Sequence, residues 1–106
     1  MKYVFDIDGT ICTQTDGRYE DAVPIKDRIK KINELYDAGN EIVFMTARGM
    51  GRNNGDHVLA YRDFYVLTHG QLEEWGVKFH NLILGKPVAD LFVDDKGIND
   101  ERFFYK

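Results

Sequence analysis

Six polar residues stand where apolar, β-favouring runs give out: Asp6 and Asp8 after Lys2–Phe5, Thr46 after Glu41–Met45, Lys86 after Lys78–Leu84, and Asp94 with Asp95 after Leu91–Val93. Their types suit phosphoryl chemistry around a divalent cation. On an extended strand, carboxylates two residues apart face the same side. They repel unless a cation or a proton intervenes. Magnesium meets that need, because it takes oxygen ligands and keeps room for water and a phosphate oxygen. Asp94 and Asp95 point different ways, so Asp94 is expected as the nearer ligand and Asp95 as a support or a contact through water. The Thr46 hydroxyl, with the amides after it, can bond a phosphate oxygen. Lys86, in Gly-Lys-Pro, can bring a cation to phosphate and to a carboxylate nucleophile.

Each signal alone has a plainer use. Asp-x-Asp-Gly suits a turn or a helix cap. Thr46 can cap a loop, and Lys86 can be an ordinary solvated lysine. The elements around them give the stronger reading. Pro24 opens a helix whose Ile25, Ile29, Ile32, Leu35 and Tyr36 share one face, and Gly39 ends it. Lys26, Arg28, Lys30 and Lys31 lie mostly on its other faces and read as a solvated surface. Val58–Trp75 forms a second helix, with Leu59, Phe64, Leu67, Leu72 and Trp75 inward and Gly76 as its stop. Strands alternating with helices predict a parallel sheet covered on both faces. In such a sheet the strand ends share one edge, where a crevice forms. Asp6, Asp8, Thr46, Lys86, Asp94 and Asp95 are therefore expected to converge.

The chain has 106 residues, a length for one domain spanning residues 1–106. Hydrophobic residues make up 43%, including seven Phe and six Tyr, which is enough for a packed core. A net charge of −4 supplies no basic surface for nucleic acid. Cys12 is the only cysteine, so no intrachain disulfide forms and a reducing cytoplasm fits. It reads as a small buried hydrophobe and not as a second nucleophile. No apolar run reaches membrane-spanning length, and the chain opens directly on a strand with no signal peptide. The expected location is cytoplasmic, with no membrane partner.

Phe5-Asp6-Ile7-Asp8-Gly9-Thr10 resembles the first motif of the haloacid-dehalogenase-like (HAD) hydrolase superfamily. Phe44-Met45-Thr46-Ala47-Arg48 is similar to its second motif, Lys86 to its third, and Val93-Asp94-Asp95 to its fourth. Order and spacing fit along nearly the whole chain. The stretches Tyr19–Pro24, Ile32–Tyr36 and Trp75–Lys78 further resemble a subgroup of capsule or surface-polysaccharide biosynthesis phosphatases. The resemblance implies a three-layer, Rossmann-like α/β fold with a mainly parallel sheet. It also implies a Mg²⁺-dependent phosphatase. Asp6 would attack phosphorus and form an aspartyl-phosphate. Asp8 would protonate the leaving oxygen and then activate water. Thr46 and Lys86 would hold the phosphoryl oxygens. Asp6, the Asp8 carbonyl and Asp94 would bind the metal, with Asp95 assisting. The substrate would be a small phosphomonoester such as a sugar phosphate. A carboxyl at position 8 favours phosphatase over dehalogenase chemistry, since a leaving alkoxide needs a proton and a halide does not.

Many relatives carry a large inserted cap. Here Ile11–Val23 is too short for one, as is Thr46–Lys86 once a helix and a strand are subtracted. Water exclusion is then expected from a short flap with its turn at Asp16-Gly17, from the Arg48–Asp56 loop, or from a second copy in a homo-oligomer. Arg18, Arg48, Arg52 and His57 are the candidate substrate contacts. His69 and His80 lack metal-ligand spacing and are read as structural or exposed. Two rival readings are a receiver-like phosphorylatable module and a catalytically silent regulatory subunit. The order of the acidic clusters is wrong for the first, and the intact Asp6, Asp8, Lys86 and Asp94 speak against the second.

Overall fold

Lys2–Phe5 forms strand β1, Glu41–Thr46 forms β2 and Asn81–Leu84 forms β3. The computed structural model describes residues 1–105. Helix α1 (Lys26–Asp37) joins β1 to β2, α2 (His57–Glu74) joins β2 to β3, and α3 (Asp100–Tyr105) follows. The sheet runs β1-β2-β3, all parallel, with Phe5 level with Phe44 and Phe44 level with Leu82. No inserted cap is present among the described residues. The architecture is α/β and Rossmann-like, as the sequence predicts. No helix among the described residues is long and apolar enough to cross a membrane.

Tyr3, Phe5, Ile42, Phe44, Leu82 and Leu84 alternate onto one sheet face. Helices α1 and α2 bring Ile29, Ile32 and Leu72 to meet these residues in the core. The Asp56 carboxylate caps α2 by accepting from the Val58 amide (2.9 Å) and the Leu59 amide (3.3 Å). The alternate residues Val4, Val43, Met45 and Ile83 share the second face. Val43 is buried there, but Val4 is 59% exposed.

Helix α3 was not expected. It packs Phe103 against Tyr3 and Phe5 with ring centroids 5.8 and 5.5 Å apart. Its Asp100 pairs with Arg28 at 2.6 Å, and Lys31 donates to the Phe103 carbonyl at 2.7 Å. Arg28 is therefore a buried anchor and not part of a solvated helix face.

The strand predicted at Leu91–Val93 does not form. Leu91 is 77% exposed and Val93 86% exposed, on an irregular segment between Lys86 and α3. The reason is geometric. The Lys86 amide bonds the Thr46 carbonyl (3.1 Å), so Lys86 stands at the top of β2. The slot beyond β1 is two strand spacings away, about 9.5 Å. To set Asp94 level with Asp6, Leu91 must stand level with Tyr3, which pairs with Ile42. That is four residues below Thr46, or roughly 13 Å. The straight line is about 16 Å and cuts through β2 and β1, whereas Lys86 to Leu91 spans at most about 18 Å fully extended. A path around either face is longer than the tether.

Candidate active site

Three of the four clusters converge. The C-terminal ends of the strands bring Asp6, Asp8, Thr46 and Lys86 to the wall of one cavity of about 360 Å³. β1 ends at Phe5, and the chain then turns tightly: the Thr10 and Ile11 amides both bond the Ile7 carbonyl (3.0 and 2.9 Å). Gly9 takes φ +81°, and a β-carbon there would stand 2.7 Å from Gln14 Nε2. That turn holds Asp6 and Asp8 at the strand end. Lys86 follows β3 and sets its ammonium 3.9 Å from Asp6 Oδ1.

Burial pushes the Asp6 carboxyl above the ordinary carboxylate range. Lys86 opposes this most strongly among the charges, the Ile7 amide also opposes it, and Asp8 adds to it. Thr46 is buried, and its hydroxyl oxygen accepts from the Arg48 amide (3.1 Å), leaving the hydroxyl proton to donate.

Asp8 is held by Arg48, which was expected to touch substrate and instead lies buried with 1% exposure. Its Nε and Nη2 donate to the two Asp8 oxygens, each at 2.9 Å. Nη1 donates to Thr68 Oγ1 (3.2 Å) and to Gln71 Oε1, both on α2. The Tyr19 ring lies 4.8 Å from the guanidinium carbon. All donors of the fork are turned toward protein groups, so Arg48 positions Asp8 and has no direction left for substrate. Thr68, Gln71 and Tyr19 escaped the sequence reading. Thr68 and Gln71 left a signal: polar residues at i and i+3 in the inward stripe of α2. Tyr19 left none.

The flap of residues 13–21 is closed at its base by bonds from the Thr13 amide to the Val23 carbonyl (3.0 Å) and from the Ile25 amide to the Ile11 carbonyl (2.8 Å). Gln14, Thr15, Asp16, Gly17 and Tyr19 from this flap line the cavity. The Thr15 hydroxyl oxygen is buried with no hydrogen-bond partner among the described residues. Arg52 donates to the Gly17 carbonyl (2.7 Å) and lies 4.5 Å from the Phe64 ring, stapling flap to helix. Arg18 is exposed and pairs with Asp21 at 3.6 Å. His57 is exposed beside Gly85. Arg18, Arg52 and His57 lie outside the cavity wall.

Asp94 and Asp95 do not join the cavity, because the strand that would carry them is absent. Asp94 Oδ1 instead accepts from the Lys96 and Gly97 amides, both at 2.6 Å, and these bonds hold its carboxyl below the ordinary range. Among the described residues no three His, Cys, Asp or Glu side chains cluster for a metal. The donors at the cavity still fit magnesium. Asp6 supplies a carboxylate and Asp8 a backbone carbonyl, and Mg²⁺ needs only one or two carboxylates beside water and phosphate oxygens. The Asp8 carbonyl already accepts from Gln14 Nε2 (3.3 Å) and keeps its second lone pair.

Cys12 is buried beside Asp8, with Sγ 3.5 Å from Oδ1. Burial, with the Asp8 charge next, pushes its thiol up to about 12. Native protein should therefore resist iodoacetamide at pH 8, and denatured protein should react fully. Mass spectrometry of the two samples checks this, and rapid alkylation of the native chain would contradict the burial.

No family model matches the chain, and no curated protein matches it. The structure matches that of a structural-genomics target from Vibrio cholerae with a TM-score of 0.91 and 25% identity, over 99% of this chain and 88% of that one. It also matches D,D-heptose bisphosphate phosphatase of B. bronchiseptica, solved with magnesium and phosphate. That match has a TM-score of 0.53 and 17% identity, over 78% of this chain and 48% of that one. The chain thus shares its α/β, Rossmann-like fold, parallel sheet and all, with a phosphatase crystallised with magnesium and phosphate.

Proposed function

We propose that this chain is a magnesium-dependent phosphatase of a small phosphomonoester, with Asp6 as covalent nucleophile. One observation carries the reading: Asp6, Asp8, Thr46 and Lys86, far apart in sequence, line a single cavity at the ends of parallel strands. The resemblance to HAD hydrolases and the fold shared with the heptose bisphosphate phosphatase support it.

The Asp6 carboxylate attacks phosphorus and takes the phosphoryl group as an acyl phosphate. The leaving alkoxide takes a proton from Asp8. Asp8, now ionised, accepts a proton from the water that cleaves the acyl phosphate and releases inorganic phosphate. Both Asp8 oxygens accept from Arg48, and each keeps a second lone pair where that proton can reside. Lys86 and the Thr46 hydroxyl hold the phosphoryl oxygens. Asp6 and the Asp8 carbonyl would hold a magnesium ion, which when bound would neutralise phosphoryl charge. The cavity has room for one ring and one phosphate, and the resemblance to surface-polysaccharide biosynthesis phosphatases favours sugar phosphates as the substrate class.

The test is phosphate release from p-nitrophenyl phosphate and a panel of sugar phosphates, with Mg²⁺ and with EDTA. Release should require the metal. No release above that of Asp6→Asn on any substrate ends the reading. Asp8→Asn should lower turnover of alkyl phosphates by about 10²–10⁴-fold. Its effect on p-nitrophenyl phosphate should be smaller, because that leaving group departs without a proton. Equal losses on both would remove Asp8 as the acid.

A further inference from the structure

Two unsatisfied halves of a strand pair lie on this chain. β1 is an edge: among the described residues its backbone bonds only β2 across the sheet, and its Val4 is 59% exposed. The apolar, β-favouring run Leu91-Phe92-Val93 is 77%, 52% and 86% exposed. An open strand edge and an exposed apolar run invite pairing. They cannot pair within the protomer in the direction that brings Asp94 to Asp6, because the tether from Lys86 is too short. A second copy has no such tether.

The geometry points to an exchanged dimer in which the arm between Lys86 and Asp100 of each copy adds, as a parallel strand, to the β1 edge of the other, and delivers Asp94 and Asp95 to the partner's cavity. This rests on the functional reading above and adds two carboxylates to those of Asp6 and Asp8 at the cavity.

The arm is built for such an exchange. It leaves the body at Gly85-Lys86-Pro87 and returns at Asp100, where the Arg28 ion pair fastens it again. Four residues on one side of the apolar run and six on the other let it stand about 14–20 Å from its own body. Parallel pairing with Asp94 beside Asp6 sets Val93 beside Phe5 and Phe92 beside Val4. The row then continues the sheet as arm-β1-β2-β3. Phe92, which lies over the Lys86 ammonium at 4.5 Å within the protomer, would release that contact. Swapping an identical element between two copies closes with two-fold symmetry, so both cavities are completed at once.

Three measurements test the exchange. Wild-type protein should sediment as a dimer. The double variant Leu91→Asp/Val93→Asp should sediment as a monomer with an unchanged circular dichroism spectrum, since both side chains are exposed in the protomer. The variant Val4→Cys/Phe92→Cys should oxidise to a covalent dimer on a non-reducing gel, because neighbouring strands place the two within disulfide reach. Buried Cys12 does not compete. Finally, co-expressed Asp6→Asn and Asp94→Asn chains, each inactive alone, should recover about a quarter of wild-type activity. Half of the dimers are mixed, and each of those has one intact cavity of two.

A monomeric wild type, an intrachain disulfide, or a dimer that does not cross-link would each overturn the exchange. So would full loss of activity in the co-expressed pair when the wild type is active. Dimerisation and cross-linking do not depend on turnover. A cross-linked dimer with no phosphatase activity sustains the exchange and sinks the function, and an active monomer does the reverse.

Discussion

Asp6→Asn should lower phosphate release by about 10⁴-fold or more, as expected when a nucleophile that works with a whole catalytic unit is removed. An amide cannot form the acyl phosphate, and no neighbour can replace it. Cys12 is the other nucleophile type near Asp8, and its thiol is pushed up to about 12 and buried. The same change should stabilise the metal-free protein at neutral pH. Burial raises the Asp6 carboxyl above its unfolded value, so the folded state binds that proton more tightly than the unfolded state does. Its contribution to stability is therefore present below the unfolded pKa and is lost as pH rises through the folded one. At pH 7 the ionised group is a burden, and asparagine removes it. Thermal melts in EDTA should show Asp6→Asn above wild type at pH 7, with the gap narrowing toward pH 4. Added Mg²⁺ should stabilise the wild type more than the variant. A variant that melts lower than wild type at pH 7 without metal would mean that the Lys86 pair, 3.9 Å long, outweighs burial.

Arg48→Met should be the most destabilising single change at the site. The guanidinium is buried, and its fork holds both Asp8 oxygens at 2.9 Å. Removing one partner of a buried pair leaves the other uncompensated, at a cost of about 3–5 kcal/mol. For a domain of this size that lowers Tm by about 15 °C or more. Gln71 Oε1 and Thr68 Oγ1 lose their donor as well. Arg48→Lys should not rescue, since an ammonium cannot bond two carboxylate oxygens, Thr68 and Gln71 together. The double variant Asp8→Asn/Arg48→Met should be more stable than the sum of the two singles implies, because the stranded charge is gone. Activity should fall in every Arg48 variant that folds, since Asp8 loses its aim. Full activity and an unchanged Tm in Arg48→Met would refute a positioning role.

Much of this was legible in the residues. β-branched and aromatic runs marked β1, β2 and β3. Helical spacing of Ile25, Ile29, Ile32 and Leu35, ended by Gly39, marked α1 within about a turn, and Gly76 closed α2 where a left-handed residue was needed (φ +73°). The convergence of Asp6, Asp8, Thr46 and Lys86 followed from the rule that parallel strands end on one edge. Local pattern and strand direction suffice for that much.

What the spacing of residues could not express was reach and partner. The Leu91-Phe92-Val93 run has strand chemistry, but a strand exists only where a neighbour accepts its hydrogen bonds, and the path from Lys86 to the β1 edge is a distance in three dimensions. Arg48 follows a phosphate-binding type of residue, Thr46, so sequence order pointed it at substrate. Only the packing of α2 and Tyr19 turned it onto Asp8. Sequence by itself determined which elements form and which of their ends meet. The tertiary structure decided which side chains at that edge are free to act and which are held, because burial and tether length are properties of the folded chain.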